Sequence, residues 1–253
     1  MVQYNQALQP EVDSERDLAE RFNGTINTVV FDLDDTLYDE VDYCRSGFLA
    51  SACFLAETFE DMSAEHIFST FWEQFCTGNQ TKTFNGALEM LGINYNDELI
   101  EELVRAYREH EPKISLPRDT MTVLKKLKRK YTLALLTDGF LPAQKLKVKA
   151  LKIERFFTEI VYTEELGREF WKPSPAGFEK ILEILKIQPE NAVYIADNEK
   201  KDFIAPNNLG FLTIQLIRDA HIHTSGGPKS SFAAHHVITK TEEIPALLER
   251  YSK

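Results

Sequence analysis

At 253 residues, 43% of them hydrophobic, the chain is long enough to bury one or two full cores. Its formal net charge of −11 argues against a nucleic-acid backbone as partner. No run approaches the ~18 apolar residues of a membrane span, the first residues lack the apolar stretch of a secretory signal, and Cys44, Cys53 and Cys76, at no metal-ligand spacing, read as reduced, mostly buried side chains of a cytoplasmic protein.

Residues 1–24 are polar, with Ser14 placed to cap a short helix from Glu15 to Phe22, and no chemistry is assigned to them. Thr28 to Phe31 is a β-branched, apolar run, the signature of a fully buried strand. From residue 39 to 116 the texture is helical. Val41, Cys44, Phe48, Ala52, Leu55 and Phe59 mark one long amphipathic helix. Ser63 opens a second, a short third runs near Gly86 to Leu91, and Asn96 caps a fourth. Pro112 and Pro117 punctuate the exit. Helices and strands then alternate. Asp119 is expected to cap a helix whose outer face carries Lys125, Lys126, Lys128, Arg129 and Lys130. Thr132–Thr137 reads as a buried strand, followed by an Asp138-Gly139 turn and a Lys-rich helix from Pro142 to Leu151. Strands are predicted at 159–163, 191–196, 210–217 and 235–239, and helices after Ser174-Pro175 and around Ile244 to Tyr251. Residues 219–231 read as a polar loop. The alternation implies a doubly wound α/β fold: a Rossmann-like parallel sheet with helices on both faces, formed by 1–38 and 117–253. Residues 39–116 are expected to make a separate all-helical domain.

Three of the buried strands end in polar or titratable residues: Phe31 gives way to Asp32, Leu136 to Thr137-Asp138, and Ala196 to Asp197. Parallel strands carry their carboxyl ends to one rim of the sheet, where ligands of open α/β sheets bind. Asp32 and Asp34 alternate around Leu33 and can converge on one point. Two close carboxylates need a shared proton or a hard cation with oxygen ligands, such as magnesium. Asp202 follows Asp197 by five residues, and Lys172 precedes a Pro-led helix, so both can reach the same rim.

The set FDLDDT, LLTDG, WKPSP and YIADNEKKD resembles the four motifs of the haloacid dehalogenase superfamily of hydrolases. The likeness extends from about Thr28 to Arg250. It also implies that the helical insert between the first two motifs is a cap domain. Asp34 indicates the phosphatase branch, since the dehalogenases lack this second acid. The resemblance implies the following roles. Asp32 is the nucleophile that forms an aspartyl-phosphate, and Asp34 is the acid/base. Thr137 and the Asp138 backbone N–H hold phosphoryl oxygens, and Lys172 neutralises charge. Mg2+ is held by the Asp32 carboxylate, the Asp34 backbone carbonyl and Asp197. Asp202 stands behind these ligands, positioning a water or pairing with Lys172. Two positions depart from the family pattern. Ala196 stands where Gly is usual, and Asp138, where Asn is common, brings a further negative charge near a phosphate unless its side chain faces away.

The implied activity is a magnesium-dependent phosphomonoesterase acting on a small phosphorylated metabolite, such as a sugar phosphate or nucleotide monophosphate. A phosphomutase and a catalytically inactive binding module are the alternatives. Arg45, the sole cation between Asp39 and Ser46, is a candidate for reading a second anionic group of the substrate, and Lys82 is a similar candidate. His110 reads as a helix-surface residue. His221, His223, His235 and His236 lie at no ligand-like spacing. No nucleic-acid or membrane partner is expected, and oligomeric state is not legible.

Overall fold

The computed structural model describes residues 15–59, 61–78, 80–218 and 233–252. Its strands are β1 (Thr28–Phe31), β2 (Thr132–Thr137), β3 (Glu159–Tyr162), β4 (Ala192–Ala196), β5 (Leu212–Leu216) and β6 (His236–Ile238). They form one parallel sheet in the order β3-β2-β1-β4-β5-β6. The chain winds outward from β1 to β3, returns to β4 beside β1, and winds outward the other way. The reversal between β1 and β4 is the topological switch point, where such sheets open a crevice at the strands' carboxyl ends.

Helices among the described residues are α1 (Glu15–Arg21), α2 (Glu40–Thr58), α3 (Ala64–Cys76), α4 (Thr83–Met90), α5 (Asp97–Glu109), α6 (Arg118–Leu127), α7 (Ala143–Leu151), α8 (Ala176–Leu185), α9 (Ile204–Leu209) and α10 (Ile244–Leu248). The described chain divides into two compact units. The first runs through Tyr38, Leu116–Asp138 and from Glu154 onward, and the second is Asp39–Ser115 with Gly139–Ile153.

In the first unit every residue of β1, β4 and β5 is buried, as central parallel strands require. One face of the sheet presents Val30, Ala134, Leu136, Tyr194 and Ala196 to Phe178 and Ile181 of α8. Gly177 allows this close approach, because a Cβ there would lie 2.6 Å from a Leu136 methyl. The packing of α8 onto β2 fixes the height at which the preceding loop, with Lys172, meets the sheet.

The second unit is helical. Phe48 of α2 sits within an aromatic cluster, its ring centroid 5.0 Å from Tyr107, 5.3 Å from Phe75 and 5.7 Å from Phe84. Ser63 and Asn96 cap α3 and α5 by accepting from His66 N and Leu99 N, as their residue types predict. Helix α7 belongs to this unit, although its place in the sequence put it in the α/β part. Lys147 Nζ lies 3.3 Å from Glu40 Oε1 and 4.2 Å from the Tyr43 ring centroid, which ties α7 to α2.

Other expectations are corrected. Asp119 lies in the first turn of α6, and Pro117 is its N-cap. His110 is not a surface residue of a helix. It ends α5 half-buried, with Nδ1 2.7 Å from Tyr107 O and Nε2 2.9 Å from Ser46 Oγ. Of the cysteines expected to be mostly buried, Cys44 is buried, whereas Cys53 and Cys76 are exposed. Helix α9 was not anticipated. Ser14 and the loop 219–231, with His221 and His223, lie outside the described residues.

Candidate active site

Strand register builds the site. Phe31 pairs with Leu135 on β2 and with Ile195 on β4. The next residue, Asp32, donates its backbone N–H to Ile195 O at 2.9 Å. Thr137 and Asp197 each follow Phe31's partner by two residues. At ~3.3 Å rise per residue and ~4.8 Å between strands, the ends of β1, β2 and β4 deliver these residues to one small patch of rim. Asp32, Thr137, Lys172, Asp197 and Asp202 are all buried.

Lys172 closes the patch from the loop before α8. Its ammonium lies 2.6 Å from Asp32 Oδ1, 2.8 Å from Asp202 Oδ1 and 3.0 Å from the Tyr194 hydroxyl. The Tyr194 hydroxyl in turn donates to Asp202 Oδ1 at 3.3 Å, and Asn198 N donates to Asp202 Oδ2 at 3.0 Å. Burial disfavours the Lys172 charge, but Asp202 and Asp32 outweigh it and hold the ammonium well above its ordinary value. Burial also pushes Asp202 up, yet Lys172, Lys201 and the hydrogen bonds win, and its carboxyl stays below the usual range. Asp202 is therefore an ionised partner of Lys172.

Asp197 is different. Its carboxylate makes no hydrogen bond or ion pair among the described residues, although only 8% of the residue is exposed. Burial, then the charges of Asp32, Asp202 and Asp35, push it up to about 8. Asp32 is also raised, to about 6, by burial opposed by Lys172. One oxygen from each of Asp32, Asp197 and Asp202 lies within 4.8 Å of the others. Three carboxylates so close together are unfavourable by themselves. The hard oxygens of Asp32 and Asp197 fit a small divalent cation, with Asp202 engaged behind them by Lys172, Tyr194 and Asn198.

The remaining candidates are placed as follows. The Asp34 carboxylate is not part of that cluster; its Oδ1 accepts from the Tyr38 hydroxyl at 2.6 Å. Thr137 lies buried at the end of β2, its Oγ1 3.4 Å from Asp138 O. Asp138 Oδ2 accepts from Lys172 N at 3.1 Å, and its Oδ1 accepts from Thr163 Oγ1 at 2.7 Å. Its extra charge is spent on the loop that carries Lys172. The Arg45 guanidinium lies 4.9 Å from the Trp72 ring centroid, a stacking partner within the helical unit. Lys82 is the exposed residue preceding α4. Tyr194 and Thr163 were missed. The available signal for Tyr194 was a tyrosine in an otherwise aliphatic buried strand, since a buried hydroxyl requires a partner.

Comparison with known proteins gives the same picture. A family model described as haloacid dehalogenase-like hydrolase matches residues 26–210. The chain is 30% identical over 203 residues to a glyceraldehyde 3-phosphate phosphatase of Methanopyrus kandleri, covering 76% of this chain and 84% of that one. It is 28% identical over 243 residues to the N-acylneuraminate-9-phosphatase of Rattus norvegicus, covering 88% and 94%. Among solved structures, the HAD-hydrolase YfnB of Bacillus subtilis, bound to magnesium, has the same fold, with a TM-score of 0.63 and 21% identity over 88% of this chain and 98% of that one. A 2-haloacid dehalogenase of Pseudomonas syringae superposes with a TM-score of 0.62 at 21% identity, covering 90% and 100%. With its motif residues gathered at the switch point and a family match over most of its length, the chain belongs to the haloacid dehalogenase-like hydrolases.

Proposed function

We propose that the chain is a magnesium-dependent phosphomonoesterase for a small phosphorylated metabolite. The observation that carries this reading is the contrast between two buried acids at the switch point. Asp32 is clamped on one oxygen by Lys172, while Asp197 has no partner among the described residues. That is the arrangement a cation-assisted nucleophile needs: one charge held in place and one ligand waiting.

Asp32 Oδ1 is held by Lys172, so the other oxygen is the one that forms a bond to phosphorus. The ester P–O bond breaks, and Asp34 gives its proton to the departing alkoxide. Tyr38 donates to Asp34 Oδ1, so the transferred proton sits on Oδ2. Asp34 then takes a proton from a water that attacks the phosphorus, and the bond to Asp32 breaks, releasing inorganic phosphate. Thr137 and the Asp138 backbone N–H hold phosphoryl oxygens during both steps. The Asp32 and Asp197 carboxylates with the Asp34 backbone carbonyl would hold Mg2+, and Asp202 supports Lys172. The ion supplies positive charge to offset the phosphoryl oxygens. The relatives named as phosphatases act on a phosphorylated sugar or sugar acid by name, which supports that chemical class here.

The experiment is a screen of sugar phosphates and nucleotide monophosphates for phosphate release in magnesium buffer, with wild type beside Asp32→Asn. The amide is no nucleophile, so the variant should be folded and inactive. Phosphate release equal to substrate consumed separates hydrolysis from phosphoryl return to the substrate. Wild-type rates in Asp32→Asn would refute the reading.

A further inference from the structure

Tyr194 stands directly beside Val30 in the β1–β4 register, on the sheet face that also carries Asp32 two residues further on. It is fully buried. A core position of this kind favours Phe, because burying a hydroxyl costs free energy unless it is paired. Here the hydroxyl is paired twice, and both partners belong to the catalytic cluster: it accepts from Lys172 Nζ at 3.0 Å and donates to Asp202 Oδ1 at 3.3 Å.

An ammonium has three protons. At Lys172 the hydrogen-bond acceptors are Asp32 Oδ1 at 2.6 Å and the Tyr194 oxygen at 3.0 Å, with Asp202 Oδ1 as an ion-pair partner at 2.8 Å. The set is complete. The Tyr194 ring is held edge-on by Phe178, centroids 4.8 Å apart at 87°, and by Phe203 at 6.4 Å, so the hydroxyl has a fixed position. Without it, one ammonium proton loses its acceptor in a side chain that is 1% exposed, and the ammonium is left to settle between two competing carboxylates.

We propose that Tyr194 is a positioning residue for the reaction: its hydroxyl locks the Lys172 ammonium onto one oxygen of Asp32 and so aims the other at phosphorus. The proposal rests on the reading of Asp32 as nucleophile. Its prediction concerns turnover rather than substrate affinity, because Tyr194 is buried beneath the site and acts through Lys172.

The test is Tyr194→Phe, assayed with p-nitrophenyl phosphate in magnesium buffer beside wild type and Asp32→Asn. We expect kcat to fall at least about tenfold with KM within about twofold at a temperature where the variant is fully folded, beside a lowered thermal midpoint. The Lys172 ammonium resonance in a nitrogen-15 spectrum, identified by its loss in Lys172→Arg, should shift in Tyr194→Phe. A kcat within twofold of wild type, or a kcat loss that only tracks the unfolded fraction, overturns the proposal. If the variant folds poorly, the wild-type resonance decides: a buried ammonium hydrogen-bonded to Asp32 and Tyr194 and ion-paired with Asp202 requires slow proton exchange, and fast exchange overturns the assignment. An inactive wild type, or an active Asp32→Asn, would instead bring down the phosphatase reading and this proposal with it. A fully active Tyr194→Phe beside a dead Asp32→Asn removes only the role of Tyr194.

Discussion

Asp138→Ala isolates what holds the Lys172 loop. In the native chain the Asp138 carboxylate accepts from Lys172 N at 3.1 and 3.3 Å and from Thr163 Oγ1 at 2.7 Å. Truncation leaves the Lys172 N–H without this acceptor in a residue only 6% exposed. A stranded donor of this kind costs about 1–3 kcal/mol, and a hydrogen bond to a charged group contributes about 1.5–3 kcal/mol. Thr163 keeps a second acceptor, Thr137 O at 3.3 Å, so its loss is partial. The sum is about 2–4 kcal/mol. At about 2–4 °C per kcal/mol for a chain of this size, the thermal midpoint should fall by about 5–15 °C. Asp138→Asn keeps one acceptor oxygen and should cost about half as much. The assay is thermal unfolding by circular dichroism in chelator, with hydrogen exchange followed at the Lys172 amide. That amide should exchange faster in Asp138→Ala than in Asp138→Asn. A midpoint within 2 °C of wild type, at unchanged Lys172 exchange, would show that the carboxylate does not hold the loop.

Three further outcomes are expected. Exhaustive chelation should abolish phosphate release and added Mg2+ should restore it; full activity in chelator contradicts a metal role for Asp197. His110 is held below its ordinary value of 6.5 by burial. The unfolded chain therefore takes up the proton first as pH falls, so this contribution to stability is present above pH 6.5 and is lost below it. The local bonds agree with a neutral ring: Nδ1–H donates to Tyr107 O, and Nε2 faces a Ser46 hydroxyl that already accepts from Lys113 N. Urea unfolding at pH 7.5 and 5.5 should show a smaller pH difference for His110→Gln than for wild type, and equal differences count against the argument. Gly47→Ala would put a Cβ 2.6 Å from the Tyr107 ring. Overpacking of about 1–3 kcal/mol outweighs the ~1 kcal/mol gain in helix propensity, so a more stable variant in urea unfolding would contradict the packing described.

The rim was legible because parallel strands leave little freedom. Once Thr28–Phe31, Thr132–Thr137 and Asn191–Ala196 are read as buried strands, Asp32, Thr137 and Asp197 must emerge at one end, and the observed register places them there. Side-chain direction within the loops was not legible. Alternation around Leu33 made Asp34 a neighbour of Asp32, but Tyr38 captures its carboxylate four residues on. The odd charge of Asp138 is explained by Thr163, 25 residues away on another segment, and no local pattern announces such a pair. Tyr194 was hidden because periodicity records only that a position is buried and not which polar tip it carries. Helix α9 was missed since its sequence, with Pro206 followed by Asn207 and Asn208, combines poor helix formers. The attachment of α7 to α2 depends on Lys147 meeting Glu40 and Tyr43 across some hundred residues of chain, beyond any local reading.

The switch point has a consequence for how the protein comes into being. Asp32 and Lys172 are separated by 140 residues, and β4 leaves the ribosome later still. At about 5–20 residues per second, β1 waits roughly 7–30 s for the partners that complete its end of the sheet. Throughout that interval its apolar run has no β4 to pair with, and chemistry is impossible for any nascent fragment. Activity should arise in one step, only after β4 and Asp202 have emerged, and a chain interrupted before β4 should be both inert and prone to stick to its neighbours.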